Sequence, residues 1–195
     1  MMSRIHANSE SLELTWVGEV LHFWFEEVGE RHWFRRNDEI DSQIHQRFLT
    51  LHTRLMALDG AGIAAPKPML AAVIVLDQFS RNLFRDSHRG FSADPIARRL
   101  SRSALEQGFD IAMKQEERYF LYLPFEHSED QRDQALALDL IRVLGNESWT
   151  RSAMAHKAIV DRFSRFPHRN AALNRDSTAD EKELLKRGLL EPDQF

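Results

Sequence analysis

The sequence predicts an all-α protein, and three observations carry that prediction. Apolar residues recur at helical spacing almost throughout, and no segment shows sustained strand alternation. Capping residues, first-turn prolines and terminal glycines bracket the periodic runs. A length of 195 residues fits one domain with a substantial core. The expected organisation is a flexible N-terminus over 1–10 and a single domain over 11–195, built of about eight antiparallel-packed helices with short connections.

Val17, Val20, Leu21, Trp24, Phe25 and Val28 mark one helix face, and Gly29 suits its C-terminal cap. Ile40, Ile44, Phe48, Leu51, Leu55 and Leu58 form the cleanest stripe, with Asn37 or Asp38 to cap its start and Gly60 its end. Gly60 to Pro68 reads as a linker, and Pro68 opens a helix through Met69 to Phe79. Asp94-Pro95 marks the next start, with Asp94 as N-cap; Ile96, Leu100 and Ala104 face inward and Gly108 stops the helix. A short helix from Lys114 to Leu123 is halted by Pro124. Ser128 or its neighbours start another, with Leu136, Leu140, Val143 and Leu144 inward and Gly145 at its end. Ser148 caps a helix through Trp149, Ala153, His156, Val160 and Phe163, broken before Pro167. Thr178-Ala-Asp-Glu181 matches a capping box and opens a last helix that ends at Gly188.

A hydrophobic share of 43% and a charged share of 29% are those of a soluble globular chain. The net charge of -4 and a pI near 6.1 argue against a nucleic-acid partner. The absence of cysteine excludes disulfides and thiolate metal sites and fits a reducing cytosol. No stretch near the start has the apolar length of a signal peptide. The longest apolar run, Met69 to Leu76, falls far short of the roughly 20 residues that span a bilayer. A cytoplasmic protein without a membrane partner is expected. Nine histidines are present, yet none forms HExxH, and His45 and His52 lie too far apart on one helix to share a metal. No phosphate loop, nucleophile elbow or dinucleotide fingerprint occurs, so neither metal nor cofactor is predicted.

Polar groups concentrate in apolar surroundings at Asp77 to Arg85 (DQFSRNLFR), Pro124 to Asp130 (PFEHSED) and Arg165 to Arg175 (RFPHRNAALNR). Burying such groups unpaired costs on the order of several kcal/mol, so the fold must pair them or use them. Asp77 and Arg81 stand four apart and share a helix face, which Arg85 extends if the helix runs one more turn. The run AAVIVL before Asp77 makes that helix central. An anchored guanidinium there binds a carboxylate or phosphate, or else forms a structural ion pair. Glu126 and His127 are held in a bend after Pro124, and His127 with Glu129 nearby is a general-base candidate; ordinary capping is the alternative. His156 lies on an apolar stripe, as a core histidine or as a site residue. His168, Arg169 and Asn170 follow the end of that helix, where cations suit the negative dipole end. Together with Arg162, Arg165 and Arg175 they make the most basic stretch, and its interleaved aromatics suit a small anion better than nucleic acid. Trp24, Phe25, Trp33 and Phe34 read as core residues, or Trp33 and Phe34 as walls of a ligand cleft.

The order LHFWF, RHWF, VLDQFSRNLFRD, GFSADPIA, FLYLPFEHSED, AHKAIVDRFSRFPHRN and NRDSTADEKELL resembles the bacterial family called domain of unknown function 924, from about Val20 to Leu185. The resemblance implies an all-helical fold related to tetratricopeptide-like helix arrays, and it brings no established activity or catalytic residue. Three positions depart from the family pattern: Ser80 stands for proline, and Ser164 and Asn174 stand for glycine. Three functions are then open. The first is a pocket for a small anionic ligand, drawn from Asp77, Arg81, Asn82, His127, Glu129, His156, Arg165, His168, Arg169 and Asn170. The second is a helical scaffold for a peptide or protein partner, with the charged motifs as internal braces. The third is a hydrolase-type enzyme in which His127 and Glu129 act as an acid–base pair.

Overall fold

The structure, a computed structural model, describes residues 15–186, so the expectations for 1–10 and for a stop at Gly188 lie outside the described residues. The described residues form eight helices and no strand. Helix α1 covers 15–28 and ends in a π-turn, Phe23–Val28, closed by Gly29 at φ +68°. Helix α2, Asp38–Ala57, starts on the Asn37 side chain, which accepts from Glu39 N at 2.9 Å and Ile40 N at 3.2 Å. Helix α3 is continuous from Pro66 through an α-segment Pro66–Ile74, a π-turn Val75–Phe79 and a final α-turn Ser80–Leu83. Its start is two residues earlier than expected, because the first turn needs no backbone donor and accommodates both Pro66 and Pro68.

Helix α4 is Asp94–Glu106, α5 is Gln115–Glu126 and α6 is Gln131–Val143; α7 is Glu147–Phe163 and α8 is Ala179–Lys186. Four expectations are corrected here. Pro124 does not halt α5, which runs on to Glu126. A proline this near the C-terminus deprives only the Phe120 carbonyl of a donor, and His127 N closes the end on Leu123 O at 2.9 Å. Asn146, not Ser148, caps α7, accepting from Ser148 N and Trp149 N. Val143 is 76% exposed, because the buried face of α6 runs through Gln134, Ala137 and Ile141. Two residues beyond Ile141, Val143 is rotated about 200° around the helix. Asp94 is the first helical residue of α4 and Ala93 is the N-cap, so the carboxylate is spent elsewhere.

The core is organised around α3, buried from Met69 to Ser80, against which α2, α4 and α5 pack. Helices α5, α6 and α7 then follow as packed consecutive neighbours, joined by turns of four and three residues. Phe120 on α5 gathers Trp24, Phe25, Trp33, Phe34 and Tyr119, with ring centroids 4.7 to 6.0 Å away. Trp33 and Phe34 therefore belong to this aromatic core, where the Trp33 indole donates to Trp24 O at 2.8 Å. A second apolar cluster, Ile159, Val160 and Phe166 with Phe163 and Leu184, seats the C-terminal segment on α7. It brings residues 166–169 beside the C-terminal end of α5.

The two expected glycine positions have a backbone reason. Ser164 lies at φ +56° and Asn174 at φ +52°, in the left-handed region that glycine enters without cost. Asparagine tolerates that region better than serine does, so Ser164 carries the greater strain at the end of α7. The thr–glu capping box is formed as expected: Thr178 N donates to Glu181 Oε2 at 2.7 Å and Glu181 N to Thr178 Oγ1 at 3.2 Å.

Candidate functional site

The site begins at the π-turn of α3. A π-turn interrupts the regular i→i−4 ladder, and the Asp77 carbonyl accepts from Arg81 Nη1 at 2.5 Å. The Asp77 carboxylate is 1% exposed. It accepts from Gln78 Nε2 at 2.5 Å and His127 Nδ1 at 2.8 Å, with Arg81 Nη1 3.5 Å away. A carboxylate only accepts, so His127 carries its hydrogen on Nδ1 and keeps the Nε2 lone pair. Burial pushes the Asp77 carboxyl up, but His127, Arg81 and the Gln78 amide together pull it below the usual carboxylate range. Burial lowers the His127 pKa, against the opposing pull of Asp77, so the ring is neutral at pH 7.

A second buried pair stands behind the first. His156 Nδ1 lies 3.0 Å from Glu126 Oε1 and 3.0 Å from Ser152 O, both acceptors, which places its hydrogen on Nδ1. Ser152 Oγ donates to Glu126 Oε1 at 2.8 Å, whereas Glu126 Oε2 has no hydrogen-bond partner among the described residues. Burial raises the Glu126 pKa, and His156, His127 and the Ser152 hydroxyl together more than offset it, so the carboxyl titrates below its ordinary value. The His127 and His156 ring centroids are 6.1 Å apart.

Two guanidinium groups complete the cluster. Arg81 forks onto Asp94, Nη1 to Oδ1 at 3.1 Å and Nη2 to Oδ2 at 3.3 Å. Arg169, 4% exposed, donates from Nη1 to His127 O at 3.0 Å and lies 3.5 Å from Asp94 Oδ2. Phe91 and Phe166 flank it, with ring centroids 4.7 and 4.5 Å from its central carbon. Its Nε is buried without a hydrogen-bond partner among the described residues. Burial pulls the Arg169 pKa down to about 10, against the opposing charge of Asp94. Next to Phe91, Gly90 runs close to the Phe84 carbonyl, which a Cβ there would meet at 3.1 Å.

Of the residues singled out from the sequence, Asp77, Arg81, His127 and Arg169 are linked directly, with His156 beside His127. His168 lies against Phe166, centroids 5.5 Å apart. The others are placed elsewhere. Asn82 donates to Asp41 Oδ1 at 2.8 Å, and Arg85 also binds Asp41, because α3 stops at Leu83 and does not carry Arg85 onto the Asp77 face. Arg165 forks onto Glu181 at 2.6 and 2.8 Å, and Asn170 bridges Ser177, Glu181 and Arg175. Glu129 is gripped by Arg175 at 2.7 and 2.9 Å and accepts from Phe166 N at 2.8 Å. The carboxylate partner of His127 is therefore Asp77, not Glu129. The sequence reading missed Asp94, since an acid before proline reads as a cap, and missed the aromatic pair Phe91 and Phe166, which carry no local signal.

The titration of this cluster predicts an acid-sensitive fold. Burial, then the neighbouring Arg169 charge, lowers the His168 pKa to about 3. In the unfolded chain a histidine takes up a proton near pH 6.5, so the unfolded state binds more protons than the native one between about pH 6.5 and pH 3. Stability is therefore full above that window and falls as pH drops through it. Asp77, Glu126 and Glu129, whose native pKa values are lowered, add a further loss below about pH 4.5. Urea midpoints should be level from pH 7 to 8 and decline steadily below pH 6.5, with a shallower decline in His168→Gln. A level profile down to pH 5 would contradict this assignment.

The fold and cluster define an all-helical protein with a buried arginine–histidine–carboxylate centre. The model of the family described as bacterial protein of unknown function (DUF924) matches residues 20–188, and the chain belongs to that family. It is also similar to a solved structure, the protein of unknown function Atu0120 from Agrobacterium tumefaciens, at 36% identity. The match has a TM-score of 0.84 and covers 88% of this chain and 97% of that one. No curated protein matches the chain. No described helix is long and apolar enough to cross a membrane.

Proposed function

We propose that the cluster is a binding site for a small anionic molecule, anchored by Arg169. The observation that carries this reading is a cation 4% exposed, flanked by two aromatic rings, whose Nε has no hydrogen-bond partner among the described residues. Guanidinium Nε and Nη2 form a fork that matches a carboxylate or phosphate, and the hydrogen bond of Arg169 to the protein runs from Nη1 instead. Leaving a buried donor unmade costs about 1–3 kcal/mol, which a ligand oxygen would recover. Beside it His127 is neutral and oriented by Asp77, so Nε2 is the group fitted to take a proton from a bound molecule. That pair, in place of His127 with Glu129, is what supports a catalytic version of the same reading. The cysteine-free composition suits a cytoplasmic setting.

The scaffold for a peptide or protein partner is the second reading. What favours it is that Asn82, Glu129, Arg165 and Asn170 act as braces between segments. A thermal-shift screen of carboxylates and phosphate esters, run on the wild type and Arg169→Gln, separates the two. The expected result is a rise in melting temperature with an anionic compound that disappears in a folded Arg169→Gln. No response to any anion, with Arg81→Ala and Arg169→Gln both strongly destabilised, would favour the scaffold.

A further inference from the structure

We propose that Asp94 is an internal counter-ion that competes with a ligand carboxylate for the charges of Arg81 and Arg169 and so sets the affinity of the site. This inference rests on the small-anion reading above. Asp94 presents to Arg81 the two-oxygen geometry that a free carboxylate would adopt, and its second oxygen lies nearest Arg169. It does so loosely. The three contacts are 3.1, 3.3 and 3.5 Å, whereas charge-assisted bonds of this kind close to about 2.7–2.9 Å. Two bracing pairs of the same protein close to that range or below it, Arg165 with Glu181 at 2.6 and 2.8 Å and Arg175 with Glu129 at 2.7 and 2.9 Å.

Nor does Asp94 cap its own helix. Ala93 is the N-cap of α4, and no side chain caps that end, so moving the carboxylate breaks no helix-end hydrogen bond. The Asp94 side chain is 14% exposed and Arg81 13%, against 1% for Asp77, so the pair lies at the rim of the cluster and not at its floor. The Nε of Arg169, without a hydrogen-bond partner among the described residues, points away from the Nη1 that Asp94 faces and is left for the ligand oxygen. A ligand carboxylate and Asp94 thus compete for the same two cations. Removing the internal charge removes the competitor.

The test is isothermal titration of the full chain with acetate, comparing wild type, Asp94→Asn, Arg169→Gln and the double variant. Asp94→Asn is expected to bind acetate at least tenfold more tightly than the wild type, and the double variant is expected not to bind. The inference is overturned if Asp94→Asn binds no more tightly than the wild type. It is also overturned if Asp94→Asn and Asp94→Ser both lose the cooperative fold, for Asp94 is then a fixed brace. Acetate binding that is unchanged in Arg169→Gln, or absent from both wild type and Asp94→Asn, would overturn the anion site itself and this inference with it.

Discussion

Asp77→Ala is expected to cost about 3–5 kcal/mol, the usual penalty for removing one partner from a buried ion pair. For a chain of this size the melting temperature should fall by roughly 10 °C. The carboxylate is 1% exposed and serves three neighbours at once: the Gln78 amide, His127 Nδ1–H and the Arg81 guanidinium. Alanine leaves two of those donors without their acceptor and one cation with only Asp94 for charge balance. Asp77→Asn is the informative companion. It keeps the shape and an acceptor oxygen for His127 but not the charge, so its loss should fall between the wild type and alanine. Urea unfolding of the three proteins at pH 7 reads both steps. A loss below ~1 kcal/mol for alanine, the scale of an exposed pair, would show that the Asp77 charge does not hold the cluster together.

Phe120→Ala should be as severe for a different reason. Truncating a buried phenylalanine costs about 3–5 kcal/mol through lost transfer energy and the cavity left behind. Here the ring also sits at the centre of five aromatic neighbours, with Trp33 at 4.7 Å in an edge-to-face arrangement and Phe34 stacked at 6.0 Å. Each such pair adds about 0.5–1.5 kcal/mol beyond area, so the loss should lie at the top of that range. Phe120→Leu preserves most of the volume and should cost markedly less. Equal losses for leucine and alanine would mean that ring geometry, not volume, holds α1 and α5 together. A loss below about 2 kcal/mol for alanine, the low end for large apolar truncations, would show that the surrounding rings close over the gap.

Much of the fold was legible from the chain. The stripe from Ile40 to Leu55, the Asn37 cap and the Thr178–Glu181 box are all interactions within one or two helical turns, and the structure contains each of them; Leu58, expected at the end of that stripe, is instead the exposed C-cap residue. The errors were local rules met by a stronger nonlocal demand. Asp94 has the residue type and the position of an N-cap, yet two arginines from other segments claim its carboxylate. Pro124 reads as a stop, yet it falls where α5 has one turn left and packing carries the helix on. Arg85 shares the Asp77 face only if α3 runs one more turn, and the helix ends two residues earlier.

Sequence alone determined that this protein is helical, where its helices begin and end to within a few residues, and which three segments hold its unusual polar groups. Only the tertiary structure decided how those groups pair. His127 takes Asp77 from 50 residues away instead of Glu129 two residues on, Arg169 reaches the His127 carbonyl across 42 residues, and Glu129 is claimed by Arg175 across 46. Helix periodicity and capping act over about four residues and are written in spacing. The partner of a buried charge is set by the rotation and register of packed helices, and in a medium of low dielectric a shift of an ångström or two changes which pair forms.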